Sequence, residues 1–314
     1  MDIQDQDQDS TIVLVCIDRF QPYIITNIDF LIRLQHHHIV VLTNRHLFSF
    51  FENCDPNRRD ATPTEIFSQF VHLVAIEDLS DPFEYLKRSQ MDSVFLLNTS
   101  MRFFYLYAYM KKYNVSNVFH IENDVILFYN VSVLYPFLLH SRFKDKMLIP
   151  FDSYERNIGS IVFVPHFDVL GKILALYRPE CNDMQNFVSL YKQLPQCIDS
   201  FPIFVLGVES GNEEIDFVCR NFHYFGGFIF DAAAIGQYLG GVDPKNIPGN
   251  TAGFVNETCV VKYNHYRFQW KNIDHVYRPI LILSGRSYVI QYGELEIPIF
   301  NLHVHSKDLN KFIL

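Results

Sequence analysis

Glu122 and Asp124 stand one residue apart inside an otherwise apolar run, Phe119-His120-Ile121-Glu122-Asn123-Asp124-Val125-Ile126-Leu127-Phe128. Side chains alternate faces along an extended chain, so both carboxylates can point the same way. Two carboxylates on one side repel each other unless a cation or a solvated ligand lies between them. Mg²⁺ or Mn²⁺ relieves that repulsion, because hard divalent ions take oxygen ligands and often bind one or two carboxylates together with substrate phosphates. Taken alone, the pair reads as a strand ending in a polar turn. Its surroundings decide between the two.

A second segment supplies complementary chemistry: Phe300-Asn301-Leu302-His303-Val304-His305-Ser306-Lys307. If it is extended, Leu302 and Val304 are buried and both imidazoles face the other side. Neutral imidazole is a common ligand for transition metals, Mn²⁺ included. Lys307 adds a point positive charge suited to phosphate. For either histidine alone, a polar edge strand with a solvated lysine is as good a reading. Carboxylates, imidazole and lysine together make a metal–diphosphate site. His36-His37-His38 is a poor metal candidate, since consecutive residues in regular structure do not face one centre. The lone Trp270 is read as peripheral core in preference to a sugar platform.

These residues need elements to hold them. Residues 11–17 form a continuous β-branched apolar run, as in a buried strand. Pro22 opens a helical pattern through Ile24, Ile28, Leu31 and Leu34, and strands are expected at 39–42 and 71–76. A short helix follows at 82–88, a strand at 93–97, and a helix at 101–113 capped by Thr99 or Ser100. The strand at 118–121 runs straight into Glu122. Alternation of this kind implies a parallel sheet of βαβ units, with ligands outside the carboxyl ends of the strands. The second half is expected to hold strands at 147–150, 160–164, 280–283, 288–291 and 299–305, and helices at 167–177 and 184–193. Between them, Gly226-Gly227, Gly236, Gly240-Gly241 and Pro248-Gly249-Asn250 read as loops over a site.

Composition narrows the classes. The chain has 314 residues, 49% of them hydrophobic, enough for one large packed domain. Its net charge of -9 argues against a nucleic-acid-binding surface. No apolar run approaches the roughly 20 residues needed to span a bilayer. The first ten residues are acidic and polar, unlike a signal peptide, and read as a disordered leader. The six cysteines lack metal-binding spacing and read as reduced thiols, so a cytoplasmic location is expected.

The order of these features resembles that of GT-A-fold glycosyltransferases, which use nucleotide-sugar donors. Glu122-Asn123-Asp124 resembles their Asp-x-Asp motif, with Glu in the first place. The pattern is most similar to the glycogenin-like and lipopolysaccharide galactosyltransferase-like families. In those families an Arg-bearing helix precedes the motif and a His-x-x-Gly-x-x-Lys segment closes the chain. Arg102 and the pair His303 and Lys307 resemble these parts, with shorter spacing, no intervening glycine and no Pro-Trp after the lysine.

The resemblance implies an α/β fold of GT-A (Rossmann-like) type, a mixed, mostly parallel central sheet flanked by helices with a loop-rich acceptor half. It implies a single domain over 11–314, with a nucleotide-sugar-binding half at 11–130 and an acceptor half at 131–314. It also implies transfer of a sugar from a nucleoside-diphosphate donor to a carbohydrate or glycoconjugate hydroxyl, with Mn²⁺ or Mg²⁺ as cofactor and retention of configuration. Asp124 and His303 would bind metal, with His305 the competing choice. Glu122 would touch the metal through water or hold the donor ribose, and Lys307 would neutralise the diphosphate. Cys16, Asp18, Asn44 and Arg102 would meet the donor, with Arg19 and Arg45 equally read as surface residues. Asp183 and Asp152 lead the candidates for a catalytic carboxylate, ahead of Glu155, Asp231 and Glu257. Asn157-Ile158-Gly159-Ser160 resembles the small-residue segment beneath the acceptor. A sugar-nucleotidyltransferase is the enzyme alternative, although the 16–22 loop lacks the glycines that class uses. A degenerate, non-catalytic nucleotide-sugar-binding protein is the other rival.

Overall fold

The computed structural model describes residues 10–52, 69–79, 93–205, 211–245, 249–272 and 286–313. The first half lays down β1 (Thr11–Cys16), α1 (Tyr23–Arg33), β2 (Ile39–Thr43), α2 (Phe48–Glu52), β3 (Val71–Ala75), α3 (Val94–Tyr113), β4 (Val118–Ile121) and β5 (Val125–Leu127). The second half adds α4 (Tyr135–Leu138), β6 (Met147–Leu148), β7 (Phe151–Ser153), β8 (Arg156–Asn157), β9 (Ile161–Val164), α5 (Phe167–Leu174), α6 (Asp183–Gln193) and β10 (Ile198–Asp199). It ends with α7 (Glu213–Cys219), α8 (Ala234–Gly240), β11 (Arg267–Asn272), β12 (Arg286–Tyr292), β13 (Leu295–Pro298) and β14 (Asn301–His303).

The central sheet has the strand order β10-β6-β9-β4-β1-β2-β3. Strands β1 to β4 run parallel, β9 is antiparallel to β4 and β6, and β10 is parallel to β6. This is the expected mixed, mostly parallel α/β arrangement. Ile12, Val13 and Leu14 are all inaccessible, because helices cover both faces of the sheet. Helix α1 buries Ile24, Asn27, Ile28 and Leu31, one helical face at 3- and 4-residue spacing.

Two consequences of this topology position the site. Cys16, Thr43 and Ala75 are in register across β1, β2 and β3, so these carboxyl ends share one edge, which the end of parallel β4 joins. Separately, β5 pairs antiparallel with β14, which sets His303 opposite Val125. That two-stranded ladder carries the C-terminal segment to the Glu122-Asn123-Asp124 turn.

Some expected elements differ. The strand expected at 93–97 is the first turn of the 20-residue helix α3, capped by Ser93 and not by Thr99 or Ser100. Ser93 Oγ accepts from Leu96 N–H at 3.4 Å, and Val94 and Phe95 are 67% and 68% exposed, the opposite of a buried strand. Gly236 and Gly240 belong to α8, whereas Gly226, Gly227, Gly241 and Gly249 do sit at positive φ. The helix expected at 82–88, the strand at 280–283 and nearly all of the leader lie outside the described residues. Trp270 lies on β11 with its ring 3.8 Å from that of Tyr288, packed against the core as expected. All five described cysteines are free. No helix among the described residues is long and apolar enough to cross a membrane.

Candidate metal centre

Glu122 and Asp124 leave the end of β4 on a turn that is fastened from below. Asn123, between them, donates from Nδ2 to Val15 O at 2.9 Å and to Gln21 Oε1 at 2.7 Å. Asn27 on α1 donates to the Asn123 carbonyl at 3.1 Å. Its own residue thus turned inward, the pair projects its carboxylates toward His303. His303 Nε2 lies 3.0 Å from Glu122 Oε2 and 3.3 Å from Asp124 Oδ2. Single ligand atoms from Glu122, Asp124 and His303 all fall within 4.8 Å of one another. The Lys307 ammonium pairs with Asp124 Oδ2.

The donor set fits a divalent ion of the Mn²⁺ type, with carboxylate oxygens and one imidazole. The tautomer fits as well. His303 Nδ1 lies 3.0 Å from Ala232 O, so Nδ1–H donates there and the Nε2 lone pair is left for a ligand. Burial pushes His303 down, but Asp124 and Glu122 outweigh it and lift its pKa to about 9. Burial alone would raise both carboxylates, yet Arg102 and His303 hold Glu122 low, and Lys307 and His303 hold Asp124 well below the usual range. His303 therefore carries the proton that a metal would displace.

Arg102, on α3, bridges two carboxylates. One terminal nitrogen pairs with Glu122 and the other reaches Asp183 Oδ2 at 2.7 Å. Gly159 makes room for it, since a Cβ there would come within 2.9 Å of the guanidinium. The small-residue segment expected beneath the acceptor thus seats Arg102. Asp183 opens α6 and also accepts from Thr99 Oγ1 at 3.3 Å.

His305 lies against His303, with ring centroids 4.2 Å apart, and its Nε2 is 3.4 Å from Gln237 Nε2. Burial, with His303 beside it, drops its pKa to about 3. It backs the centre and is not one of the three grouped ligands. Lys307 has φ of 63°, the left-handed region that disfavours a side chain. Asp18 has φ of 61° at the end of β1; its N–H donates to Asn44 Oδ1 at 2.7 Å, and Asn98 donates to its carboxylate at 3.0 Å. Cys16 is buried, its thiol donating to Arg19 O at 3.3 Å and its carbonyl accepting from Thr43 Oγ1 at 2.7 Å. Arg19 and Arg45 are exposed, and Arg45 pairs with Asp78.

Asp152 pairs with Arg156 on the short β7–β8 hairpin. Its side chain is fully buried, 3.2 Å from Arg156, and burial pushes its pKa up to about 6. Glu155 pairs with Lys192 on the surface, and Glu257 is exposed. Asp231 is 1% exposed with its carboxylate occupied by backbone N–H groups.

No family model and no curated protein sequence matches the chain. Among solved structures it is similar to mouse xyloside xylosyltransferase 1 in its apo form, at 7% identity over 67% of this chain and 94% of that one, with a TM-score of 0.44. It is similar to the glycosyltransferase GlyE of Streptococcus pneumoniae TIGR4, at 10% identity over 79% of this chain and 56% of that one, with a TM-score of 0.40. A cytidylyltransferase from Leptospira borgpetersenii serovar Hardjo-bovis gives 14% identity over 67% and 79%, with a TM-score of 0.37. At these TM-scores the likeness is coarse, and the chemistry of the site is read from this chain's own residues.

The structure brings together Glu122, Asp124, Arg102, His303 and Lys307, five of the residues singled out from the sequence. Sequence reasoning missed the fastening of Asn123, whose polar type in an apolar run was a signal, and the role of the 231–236 segment beside His303.

Proposed function

We propose that this chain is a metal-dependent glycosyltransferase that moves a sugar from a nucleoside-diphosphate donor to a carbohydrate or glycoconjugate hydroxyl. The observation that supports this most is the convergence of Glu122, Asp124 and His303 beside Lys307, from segments far apart in the chain, at the carboxyl edge of a parallel sheet. Asp124 and His303 are direct metal ligands, and Glu122 completes the set directly or through water. A divalent ion held there supplies Lewis-acid stabilisation of the departing diphosphate.

Lys307 neutralises the diphosphate alongside the ion, exchanging part of its contact with Asp124 for phosphate oxygens. Asp18 and Asn44 bind the donor's nucleoside, with the Cys16 backbone as floor. Arg102 holds Glu122 and Asp183 in fixed relation, and Asp183 contacts the transferred sugar. Asp183 is tied to a guanidinium, which weakens it as a base, so transfer with retention of configuration fits better than a base-driven inversion. The buried Asp152 supports the acceptor half from behind.

Incubating the protein with a panel of nucleotide sugars, with Mn²⁺ and with chelator, tests this. Donor hydrolysis or transfer is expected only with metal and is abolished in Asp124→Ala. Undiminished activity in that variant or in metal-free buffer overturns the proposal. Nucleotide binding without turnover on any donor supports the binding-protein alternative.

A further inference from the structure

We propose that Asp231 is a positioning residue that aims His303 at the metal centre. The inference rests on the metal-site reading above, and it concerns a carboxylate that touches neither donor nor ion.

Residues 229–236 wrap around β14. Phe300 N–H donates to Ile229 O at 2.8 Å, and Asn301 Nδ2 donates to Asp231 O at 3.0 Å. Ser160 Oγ, next to the Arg102 seat, donates to the same carbonyl at 2.8 Å. The Asp231 carboxylate then faces three backbone donors. Oδ1 accepts from Ile235 N–H at 3.0 Å, and Oδ2 accepts from both Gly236 N–H and His303 N–H at 2.9 Å.

His303 is thereby held at three points by one short segment. Its N–H meets Asp231, its Nδ1–H meets Ala232 O, and its carbonyl lies against Gly236. A Cβ on Gly236 would fall 1.8 Å from the His303 oxygen, so only glycine admits this approach. A ligating imidazole whose other nitrogen is fixed by a carbonyl has one orientation and one tautomer. Here the carbonyl's own position is set by the Asp231 carboxylate, which joins the start of α8 to the His303 backbone. A carboxylate is needed because Oδ2 accepts from two peptide groups at once while Oδ1 accepts from a third. An asparagine presents an NH2 to one of those donors and loses the junction.

The test compares wild type with Asp231→Asn, and with Gly236→Ala as a second route to the same junction. Two readouts are taken. Long-range ¹H–¹⁵N correlation of the metal-free protein above pH 9, where the His303 ring is neutral, reports its tautomer. Calorimetric Mn²⁺ titration reports affinity. The wild-type His303 is expected as the Nδ1–H form, and both variants are expected to shift it toward a tautomer mixture. Mn²⁺ affinity is expected to fall about 10- to 100-fold, with donor turnover recovered at raised Mn²⁺, which a merely structural lesion would not allow. Unchanged His303 resonances and unchanged Mn²⁺ affinity in Asp231→Asn overturn the proposal. If the wild type binds no Mn²⁺, the metal-site reading fails, and the His303 tautomer alone decides whether Asp231 positions the ring. If Asp231→Asn does not fold, Gly236→Ala gives the same two readouts.

Discussion

Two buried pairs of acidic residues in this molecule meet opposite fates. Glu122 and Asp124 are held ionised, whereas Asp152 and Asp231 are both pushed up to about 6. Burial acts on all four in the same direction. The difference lies in what surrounds them. Arg102, His303 and Lys307 crowd the first pair. Asp152 has one arginine, and the donors to the Asp231 carboxylate are neutral peptide groups. Charge is thus held down to low pH where three cationic groups converge, and only above about pH 6 at the other two carboxylates. On the proposed reading, the first arrangement lets His303 give up its proton to a metal and Lys307 turn from Asp124 to a phosphate. A brace needs only the second.

The sharpest way to break this contrast is at Asp124. Asp124→Asn keeps the shape and removes the charge, and turnover is expected to fall by roughly 10³-fold, measured as donor hydrolysis at saturating Mn²⁺. Next comes Arg102→Met, which strands Glu122 and Asp183 without their shared cation. Breaking a buried pair in this way costs on the order of 3–5 kcal/mol, to be read from urea unfolding. A loss under about 1 kcal/mol would mean the three groups are not coupled.

The two pairs also separate by pH. The folded pKa of His303, about 9, lies above its ordinary 6.5. The stability it contributes is complete below pH 6.5 and is lost as pH rises to about 9, up to roughly 3 kcal/mol. Mn²⁺ should restore that loss, with apparent affinity rising with pH across the same window. For Asp152, raised from 3.8 to about 6, the stability is lost earlier, as pH rises from about 4 to 6. Asp152→Asn should therefore be more stable than wild type by about 1–3 kcal/mol at pH 7.5, with the gain vanishing near pH 4. Thermal melts across pH, with and without Mn²⁺, resolve both windows. A single shared window would erase the distinction between the pairs.

Much of this was legible in residues. The unbroken apolar run at 11–17 could only be a covered strand, and the alternation of Leu302 and Val304 with His303 and His305 fixed which side carried the imidazoles. Residues 93–97 misled because Val and Phe favour strands and the run is apolar, while the decisive interaction, the Ser93 cap, begins a helix whose apolar face lies further on. The clamp on His303 left no local signature at all. Asp231 and Gly236 meet His303 only after the chain has folded, so nothing in their spacing announces it.

Lys307 adds a last consequence through its backbone. At φ of 63° any side chain costs about 1–2 kcal/mol. A library sorted for heat resistance alone would accordingly prefer glycine to alanine at 307, although both lack the ammonium. Selection for robustness and selection for turnover would pull this one position toward different residues.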